Sequence, residues 1–201
     1  MNHFKFIRLF RQIISFYKRD FTSPAPTLFK LKTLEHFAIK AGAWVETGTF
    51  KGETTAFLAK RFSKVITLEP SPHFFDLAKA NLSKYRNVSI LHASSEEKFE
   101  ECLITVAPKA NLWLDGHFSG GKTFHAESIS PIAHELSIVK KHKGKFTELL
   151  IFIDDIRLFS GLTDLDNDTN YPSLRFVTDW CFENRFEWRI ENDIMIAKLL
   201  R

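Results

Sequence analysis

The chain has 201 residues, of which 44% are hydrophobic, 21 are phenylalanine, and only 8 are glycine and 7 proline. This length and composition favour one domain with a sizeable core, and they exclude low-complexity chains and loop-rich disulfide scaffolds. The two cysteines, Cys102 and Cys181, lie far apart without metal-ligand spacing, which favours a reducing compartment and a cytoplasmic location. Much of the formal charge of +4 comes from residues 1–20, so we expect no nucleic-acid partner.

Residues 2–19 combine apolar and basic side chains in a helical spacing, which predicts a basic amphipathic helix. Its charges interrupt the apolar run, so it is neither a secretory signal nor a membrane span. Two interpretations stay open: the helix packs on the domain or on another subunit, or it lies on an anionic membrane surface. We therefore expect an N-terminal helix within residues 1–21, a proline-containing linker over 22–26, and one domain over 27–201.

After a helix predicted at residues 28–40, apolar strand patterns and helix patterns alternate. Strands are predicted to begin at residues 44, 65, 88, 111 and 149, with a helix after each of the first four. Such alternation indicates a parallel sheet covered on both faces. The last two strand patterns, 187–190 and 193–197, are too close for a crossover and predict an antiparallel pair. The expected fold class is α/β: a single doubly wound, mostly parallel seven-stranded sheet with an antiparallel last strand, plus N-terminal helices.

The first strand runs into the turn Glu-Thr-Gly-Thr-Phe-Lys-Gly at residues 46–52. Its two glycines allow a sharp turn and a close approach to a ligand, and the following helix offers unpaired N–H groups. The turn lacks the second glycine of the dinucleotide pattern Gly-x-Gly-x-x-Gly, which disfavours an ordinary nicotinamide site. We therefore expect a small polar ligand of another class.

Acidic residues end four of the predicted strands. Glu46, Glu69, Asp115 and Asp154 close strands one, two, four and five, respectively. In open parallel sheets ligands bind beyond the carboxyl ends of the strands, so these acids are candidate site residues. His117 points the same way as Asp115 if the segment is strand-like.

Seven strands with an antiparallel final pair, the Glu-x-Gly-x-x-x-Gly turn and the acid after strand two resemble the class I S-adenosylmethionine-dependent methyltransferases. This resemblance implies S-adenosylmethionine as cofactor, with its methionine end wrapped by the glycine turn, its ribose bound by Glu69 and its adenine beside residues 93–95. Within the turn, it implies that Glu46 lies near the cofactor ammonium and Thr49 near its carboxylate. The residues assigned to the cofactor are Glu46, Gly48, Thr49, Gly52, Glu69, Ser94, Ser95 and Asp115.

A more specific resemblance is carried by residues 113–123, 130–136, 153–159 and 171–174. These segments are similar to a little-characterised bacterial methyltransferase-like family with a Leu-Asp-Gly-His-Tyr-Ser-Gly-Gly signature. The similarity runs from about residue 28 to residue 196 and leaves out the N-terminal helix. Phe118 stands where the family commonly has tyrosine, so a role of that hydroxyl is absent here.

Asp115, His117, Asp154 and Asp155 are the candidate catalytic residues. Oxygen ligands from the three aspartates could hold Mg²⁺, and the arrangement resembles the metal-dependent catechol-type and sugar O-methyltransferases. A metal would lower the pKa of a bound hydroxyl and orient it for attack on the methyl group, whereas His117 would take the proton directly. The alternative is that Asp115 contacts only the cofactor, while Asp154 and Asp155 cap loops or pair with Arg157.

The sequence thus predicts a methyltransferase acting on oxygen of a small hydroxylated acceptor, such as a saccharide or an aromatic compound. Residues 116–123 also satisfy a phosphate-loop spacing, but they follow strand four instead of strand one, and we interpret them as a substrate loop. Two rival hypotheses stay open. One is a non-catalytic module that binds the cofactor or a membrane surface, and the other is a metal- or phosphate-dependent hydrolase.

Overall fold

Helices and strands alternate along most of the chain, as the sequence pattern predicts. The computed structural model describes residues 3–115, 131–159 and 171–201. The α-helices of these ranges are α1 (His3–Lys18), α2 (Thr27–Phe37), α3 (Glu53–Ala59), α4 (Pro72–Leu82), α5 (Ser95–Thr105), α6 (Pro131–His142) and α7 (Leu174–Glu183). The strands are β1 (Ala43–Thr47), β2 (Val65–Leu68), β3 (Val88–Leu91), β4 (Lys109–Leu114), β5 (Glu148–Ile153), β6 (Phe186–Glu191) and β7 (Ile194–Leu199).

The strands form one seven-stranded sheet in the order β3-β2-β1-β4-β5-β7-β6. Neighbouring strands from β3 to β5 are parallel, and β7 runs antiparallel to both β5 and β6. Asn192 and Asp193 connect β6 to β7 with φ values of 52° and 68°. Positive φ at both central residues is typical of the two-residue turns that join antiparallel strands. The predicted fold class, including the antiparallel last strand, is confirmed.

Helices cover both faces of the sheet, which explains why the inner strands are apolar throughout. One face packs on α5, α6 and α7 through buried side chains that include Phe99, Leu136 and Val177. The other face packs on α2 and α3 through Leu34 and Leu58.

Side-chain caps decide several helix boundaries. Ser71 accepts a hydrogen bond from the Phe74 N–H at 3.5 Å, with a proline at the first helical position, so α4 begins two residues before the predicted start at residue 74. Helix α2 ends at Phe37 instead of residue 40. The buried amide of Asn111 accepts from the Ile39 N–H at 2.8 Å and donates to the Ile39 carbonyl at 3.0 Å, which holds that residue outside the helix.

Helix α1 is attached to the domain through α2. The buried ring of Phe16 packs edge-on against Phe29 with 5.8 Å between the ring centroids. The Gln12 side chain donates to the Thr27 hydroxyl at 3.2 Å. Within the described ranges no helix is both long and apolar enough to cross a membrane.

Candidate active site

The register of the parallel strands brings the predicted acidic residues to one edge of the sheet. Thr47 at the end of β1 pairs with Leu68 on one side and with Leu114 on the other, and Leu114 pairs with Ile153. The next residues along β2, β4 and β5 are Glu69, Asp115 and Asp154. Four acidic side chains, including Glu46 on β1, therefore lie around the carboxyl ends of four adjacent strands.

The turn after β1 requires both of its glycines. Gly48 has a φ of +89°, and a Cβ atom built on it would lie 2.9 Å from the Asp115 backbone oxygen. Gly52 has a φ of +76°, and its Cβ would lie 3.0 Å from the side chain of Leu82. The N–H groups of Gly48 and Thr49 donate to the Leu68 carbonyl at 3.0 and 3.1 Å, which folds the turn back over β2. Any larger side chain at either glycine would open this turn.

Glu46 is a buried acid beside the turn, with 1% of its surface exposed. Its Oε2 accepts a hydrogen bond from the Thr55 hydroxyl of α3 at 2.5 Å. Burial raises the pKa of Glu46 to about 8, against the opposing effect of the Thr55 and Thr67 hydroxyls, and the charges of Asp115 and Glu69 raise it further. A cation near Glu46 would therefore remove an electrostatic conflict.

Glu69 ties the turn to the end of β2. Its Oε2 accepts from the Phe50 N–H at 2.7 Å, and its Oε1 accepts from the Ser71 N–H at 3.0 Å. Each oxygen keeps a second lone pair for another donor. Thr49, the other predicted polar residue of the turn, is buried and lies 2.6 Å from the Thr67 hydroxyl. Its hydroxyl therefore already has one partner inside the protein.

The serines after β3 have roles within α5. Ser94 is the N-cap, and its N–H donates to Glu97 Oε2 at 2.9 Å in a capping box. Ser95 is 8% exposed, and its hydroxyl lowers the pKa of the buried Glu135 on α6. Both serines lie at the helix start where the resemblance places the adenine; Ser94 caps the helix, and Ser95 lies near a buried acid.

Glu135 is an acid that the sequence analysis did not select. It is fully buried, and neither of its oxygens has a hydrogen-bond partner within the part of the chain that the structure describes. Burial raises its pKa to about 7, although the nearby hydroxyls of Ser95 and Thr47 lower it. The sequence did contain a signal. Glu135 lies on the apolar stripe of α6 between Ile132 and Val139, where a charged residue is unusual.

A cationic side chain occupies the acidic end of β5. Lys30 of α2 lies with its Nζ 2.6 Å from Asp154 Oδ1 and 2.6 Å from Asp155 Oδ1. Burial lowers the pKa of Lys30, but Asp154 and Asp155 more than offset this, so its pKa lies above the ordinary value. For Asp154, burial is the main cause of a pKa raised to about 7, with Asp115 adding to it and Lys30 opposing it.

The β6–β7 turn adds a third aspartate to this cluster. Arg157 donates hydrogen bonds to both Asp155 and Asp193, and Lys30 Nζ lies 3.7 Å from Asp193 Oδ2. The predicted alternative of a pair with Arg157 is therefore observed for Asp155. Lys30 and Asp193 were both missed, since they are distant in sequence from Asp154 and Asp155.

Tyr171 lies close to the same acids. Burial raises the pKa of its hydroxyl to about 12, and the charges of Asp155, Asp115 and Asp154 add to this. Its ring packs against Phe159 with 5.2 Å between the centroids. A polar aromatic side chain thus borders the acidic edge of the sheet.

The remaining predicted elements lie outside the described residues. These are His117, the substrate loop at residues 116–123 and the position of Phe118. The signature of the little-characterised bacterial family also falls largely on this segment, so membership of that family stays a prediction.

No protein-family model matches the chain, and no curated protein matches it. A solved protein from Staphylococcus aureus, described as a caffeoyl-CoA O-methyltransferase, has a TM-score of 0.59 at 15% identity, covering 94% of this chain and 90% of that one. A Streptococcus mutans protein described as a methyltransferase, in complex with SAH (S-adenosylhomocysteine), has a TM-score of 0.56 at 16% identity, covering 89% and 99%. An N-methyltransferase from Bradyrhizobium japonicum has a TM-score of 0.54 at 11% identity, covering 84% and 92%. The chain therefore shares its fold with these solved methyltransferases.

Proposed function

We propose that this protein transfers a methyl group from S-adenosylmethionine to a hydroxyl oxygen of a small acceptor, such as a saccharide or an aromatic compound. The observation that carries the proposal is the convergence of Glu46, Glu69 and Asp115 around the glycine turn at the carboxyl ends of β1, β2 and β4. The solved neighbours support methyl transfer, and they include rRNA, N- and O-methyltransferases. The choice of oxygen rests on the acceptor end of the site.

Acidic side chains surround the cofactor end of the site. The cofactor has two positive groups, an ammonium and a sulfonium, and buried Glu46 lies near Asp115 and Glu69. Within the described residues Glu46 accepts a hydrogen bond from the Thr55 hydroxyl and forms no ion pair. We assign the ammonium to the vicinity of Glu46 and Asp115, because a cation there stabilises the ionised carboxylates. We assign the ribose hydroxyls to the free lone pairs of Glu69. Because Gly48 has no side chain, the Asp115 backbone oxygen lies close to the turn.

When bound, the cofactor supplies a methyl group on a positive sulfur, which an acceptor oxygen takes as the carbon–sulfur bond breaks. At the acceptor end, we assign to Asp154 the role of accepting the proton that the hydroxyl releases. Burial and the neighbouring Asp115 raise the pKa of Asp154 above its ordinary value, which makes it a stronger proton acceptor. Lys30 holds the Asp154 carboxylate by its 2.6 Å contact. His117 stays a second candidate for the proton acceptor.

The described donors do not fit a Mg²⁺ ion in this arrangement. The Lys30 ammonium contacts oxygens of both Asp154 and Asp155, and Arg157 contacts Asp155 as well. A divalent ion would meet the repulsion of both cations. Among the described residues, no group of three or more acidic, histidine or cysteine side chains has an arrangement suited to a metal. The proposed reaction therefore contains no metal-dependent step.

Calorimetric titration with S-adenosylmethionine tests the cofactor half of the proposal. We expect the wild-type protein to bind it and Glu69→Gln to bind it on the order of tenfold more weakly, because a charged acceptor for the ribose hydroxyls is lost. Glu187→Gln, which changes an exposed acid on β6, serves as the matched control. Absence of binding by the wild type would refute the proposed function.

Transfer of a labelled methyl group tests the acceptor half. Radiolabelled cofactor is incubated with panels of saccharides, phenols and amines, and the products are separated. Label in an ether linkage supports oxygen as the acceptor, whereas label found only on amines refutes that part. Asp154→Asn should reduce product formation far more than cofactor affinity, since Asp154 acts on the acceptor.

A further inference from the structure

The outward face of α1 is a continuous apolar surface. Ile7, Phe10, Ile14 and Tyr17 follow the spacing of one helix face and are 37%, 57%, 38% and 67% exposed. Phe21, just after the helix, is 64% exposed and packs edge-on against Tyr17 with 5.8 Å between the centroids. Large aromatic side chains that remain exposed in a contiguous patch mark an interaction surface.

In the described part of the chain, helix α1 contacts the domain mainly through one side of the helix. Phe16 is the buried side chain on α1 among those described, and Gln12 next to it contacts Thr27. The apolar face lies on a different side of the helix from this contact, because Phe10, Ile14 and Tyr17 are offset from Phe16 by about 100° or more at 100° per residue. Packing on α2 therefore leaves the apolar face without a partner within the described chain.

The charges that flank the apolar face are all positive. The helix sequence from residue 3 to residue 18 contains no acidic residue, and Arg11 and Lys18 are exposed, while Arg8 pairs with Glu53 of α3 at 3.2 Å. Two copies of α1 placed face to face would bring these cations together, so the charge disfavours self-association. A negatively charged partner with an apolar interior fits both features of the helix.

A groove lined by arginines runs between α1 and the linker before α2. It has a volume of about 740 Å³, and its lining includes Arg8, Arg11, Arg19 and Ser15. Arg19 donates to the Ser15 hydroxyl at 2.5 Å and to the Pro24 carbonyl at 2.9 Å, while its buried Nε–H lacks an acceptor in the described part of the chain. Guanidinium groups bind phosphate oxygens with several parallel donors. The groove is suited to an anionic phosphate head group.

We propose that α1 binds the surface of an anionic phospholipid bilayer. In this arrangement the helix lies in the plane of the interface, with Phe10, Ile14 and Tyr17 at the acyl-chain boundary. Arg11 and Lys18 lie at the level of the head groups, and the arginine groove takes a lipid phosphate. The binding is peripheral and reversible, since one amphipathic helix inserts to a shallow depth. It does not depend on the methyl-transfer activity.

Vesicle sedimentation with the full chain tests this proposal. The protein is mixed with vesicles of phosphatidylcholine alone, or with vesicles that contain about one-third phosphatidylglycerol. We expect binding to the anionic vesicles, weakening at high salt, and little binding to the neutral ones. Absence of binding to the anionic vesicles would overturn the proposal.

Two variants separate the apolar and the charged contributions. Phe10→Glu and Arg11→Glu should each lower the partition coefficient on the order of tenfold, and both positions are exposed, so the fold should persist. Phe182→Glu on α7, where the phenylalanine is 86% exposed, and Lys60→Glu after α3 are the matched controls and should bind like the wild type. Equal loss in the controls would show a non-specific charge effect. Full binding by Phe10→Glu would show that the apolar face does not contribute to binding. Either result would contradict the proposal.

Analytical ultracentrifugation without lipid addresses the competing occupant, a second copy of the chain. We expect the wild type and Phe10→Glu to sediment as the same species. A wild-type dimer that Phe10→Glu converts to a monomer would assign the apolar face to self-association and overturn the membrane proposal.

Discussion

Lys30 Nζ lies 2.6 Å from Asp154 Oδ1, although the two residues are 124 positions apart in the sequence. The contact fastens α2 to the carboxyl end of β5, and both side chains are largely buried. Lys30 thus supplies a positive charge beside two of the aspartates that the sequence analysis considered as possible Mg²⁺ ligands. The adjacent aspartates are held by the protein's own cations.

The Lys30 contact predicts a specific response to substitution. Lys30→Met should lower the free energy of unfolding by about 2–3 kcal/mol at pH 8, less than the 3–5 kcal/mol typical of a broken buried pair, because Arg157 still neutralises Asp155. Removal of the ammonium also frees the carboxylates for a divalent ion, so millimolar Mg²⁺ should stabilise the variant and leave the wild type unchanged. Urea unfolding with and without Mg²⁺ measures both effects.

Lys32→Met is the matched control for this experiment. Lys32 lies on the same helix, but its side chain is 59% exposed and pairs only with Glu35 among the described contacts. Its loss should change the free energy of unfolding by less than about 0.5 kcal/mol. If Mg²⁺ stabilises the wild type as strongly as Lys30→Met, a metal binds despite Lys30 and the exclusion argued from its position is wrong.

The strand ends were predictable from the sequence, and the cations between them were not. Apolar runs that end in an acid place Glu69, Asp115 and Asp154 at one sheet edge, because parallel strands share their direction. No local pattern distinguishes Lys30 from Lys32, the other lysine of α2, since the role of Lys30 depends on how that helix crosses the sheet edge. The effect of Ser95 on the pKa of Glu135 was likewise hidden, because it requires the packing of α5 on α6.

The raised pKa of Glu46 leads us to expect that the protein releases a proton when it binds the cofactor. With a pKa of about 8 the free acid is mostly protonated at neutral pH, whereas a bound ammonium favours the carboxylate. Affinity for S-adenosylmethionine should therefore rise as the pH approaches about 8 and level off above it. Calorimetry at pH 7 in two buffers with different ionisation enthalpies should give different apparent binding enthalpies. Glu46→Gln should weaken binding about 10- to 100-fold and remove the buffer dependence; the same enthalpy in both buffers for the wild type would rule out the coupling.

The raised pKa of buried Glu135 leads us to expect that the stability of the fold depends on pH. Its folded pKa of about 7 lies above the ordinary value of 4.5, so between these values the folded state holds a proton that the unfolded state has released. Stability from this group is complete below about pH 4.5 and is lost as the pH rises through about 7, a change of up to roughly 3 kcal/mol.

Glu135→Gln cannot ionise and should flatten this part of the profile, as measured by urea unfolding from pH 5 to 8. Glu183→Gln, at an exposed position of α7, should leave the profile as in the wild type. Identical profiles for the wild type and Glu135→Gln would show that this acid does not titrate in that range.

Substitution of Gly48 by alanine should destabilise the fold, whereas the same substitution at Gly144 should not. Gly48→Ala places a Cβ 2.9 Å from the Asp115 backbone oxygen at a φ of +89°, so both the contact and the left-handed backbone oppose the side chain. We expect a loss of about 1–3 kcal/mol in the free energy of unfolding, together with weaker binding of S-adenosylmethionine, because the ends of β1 and β4 must separate at the turn. Gly144→Ala is the matched control, since its Cβ would meet no atom within 4 Å. That change should be neutral or slightly stabilising, because alanine reduces the freedom of the unfolded chain. If both substitutions have the same small effect on unfolding and on cofactor binding, the turn is more adaptable than the contact between Gly48 and Asp115 implies, and its role in positioning the cofactor must be abandoned.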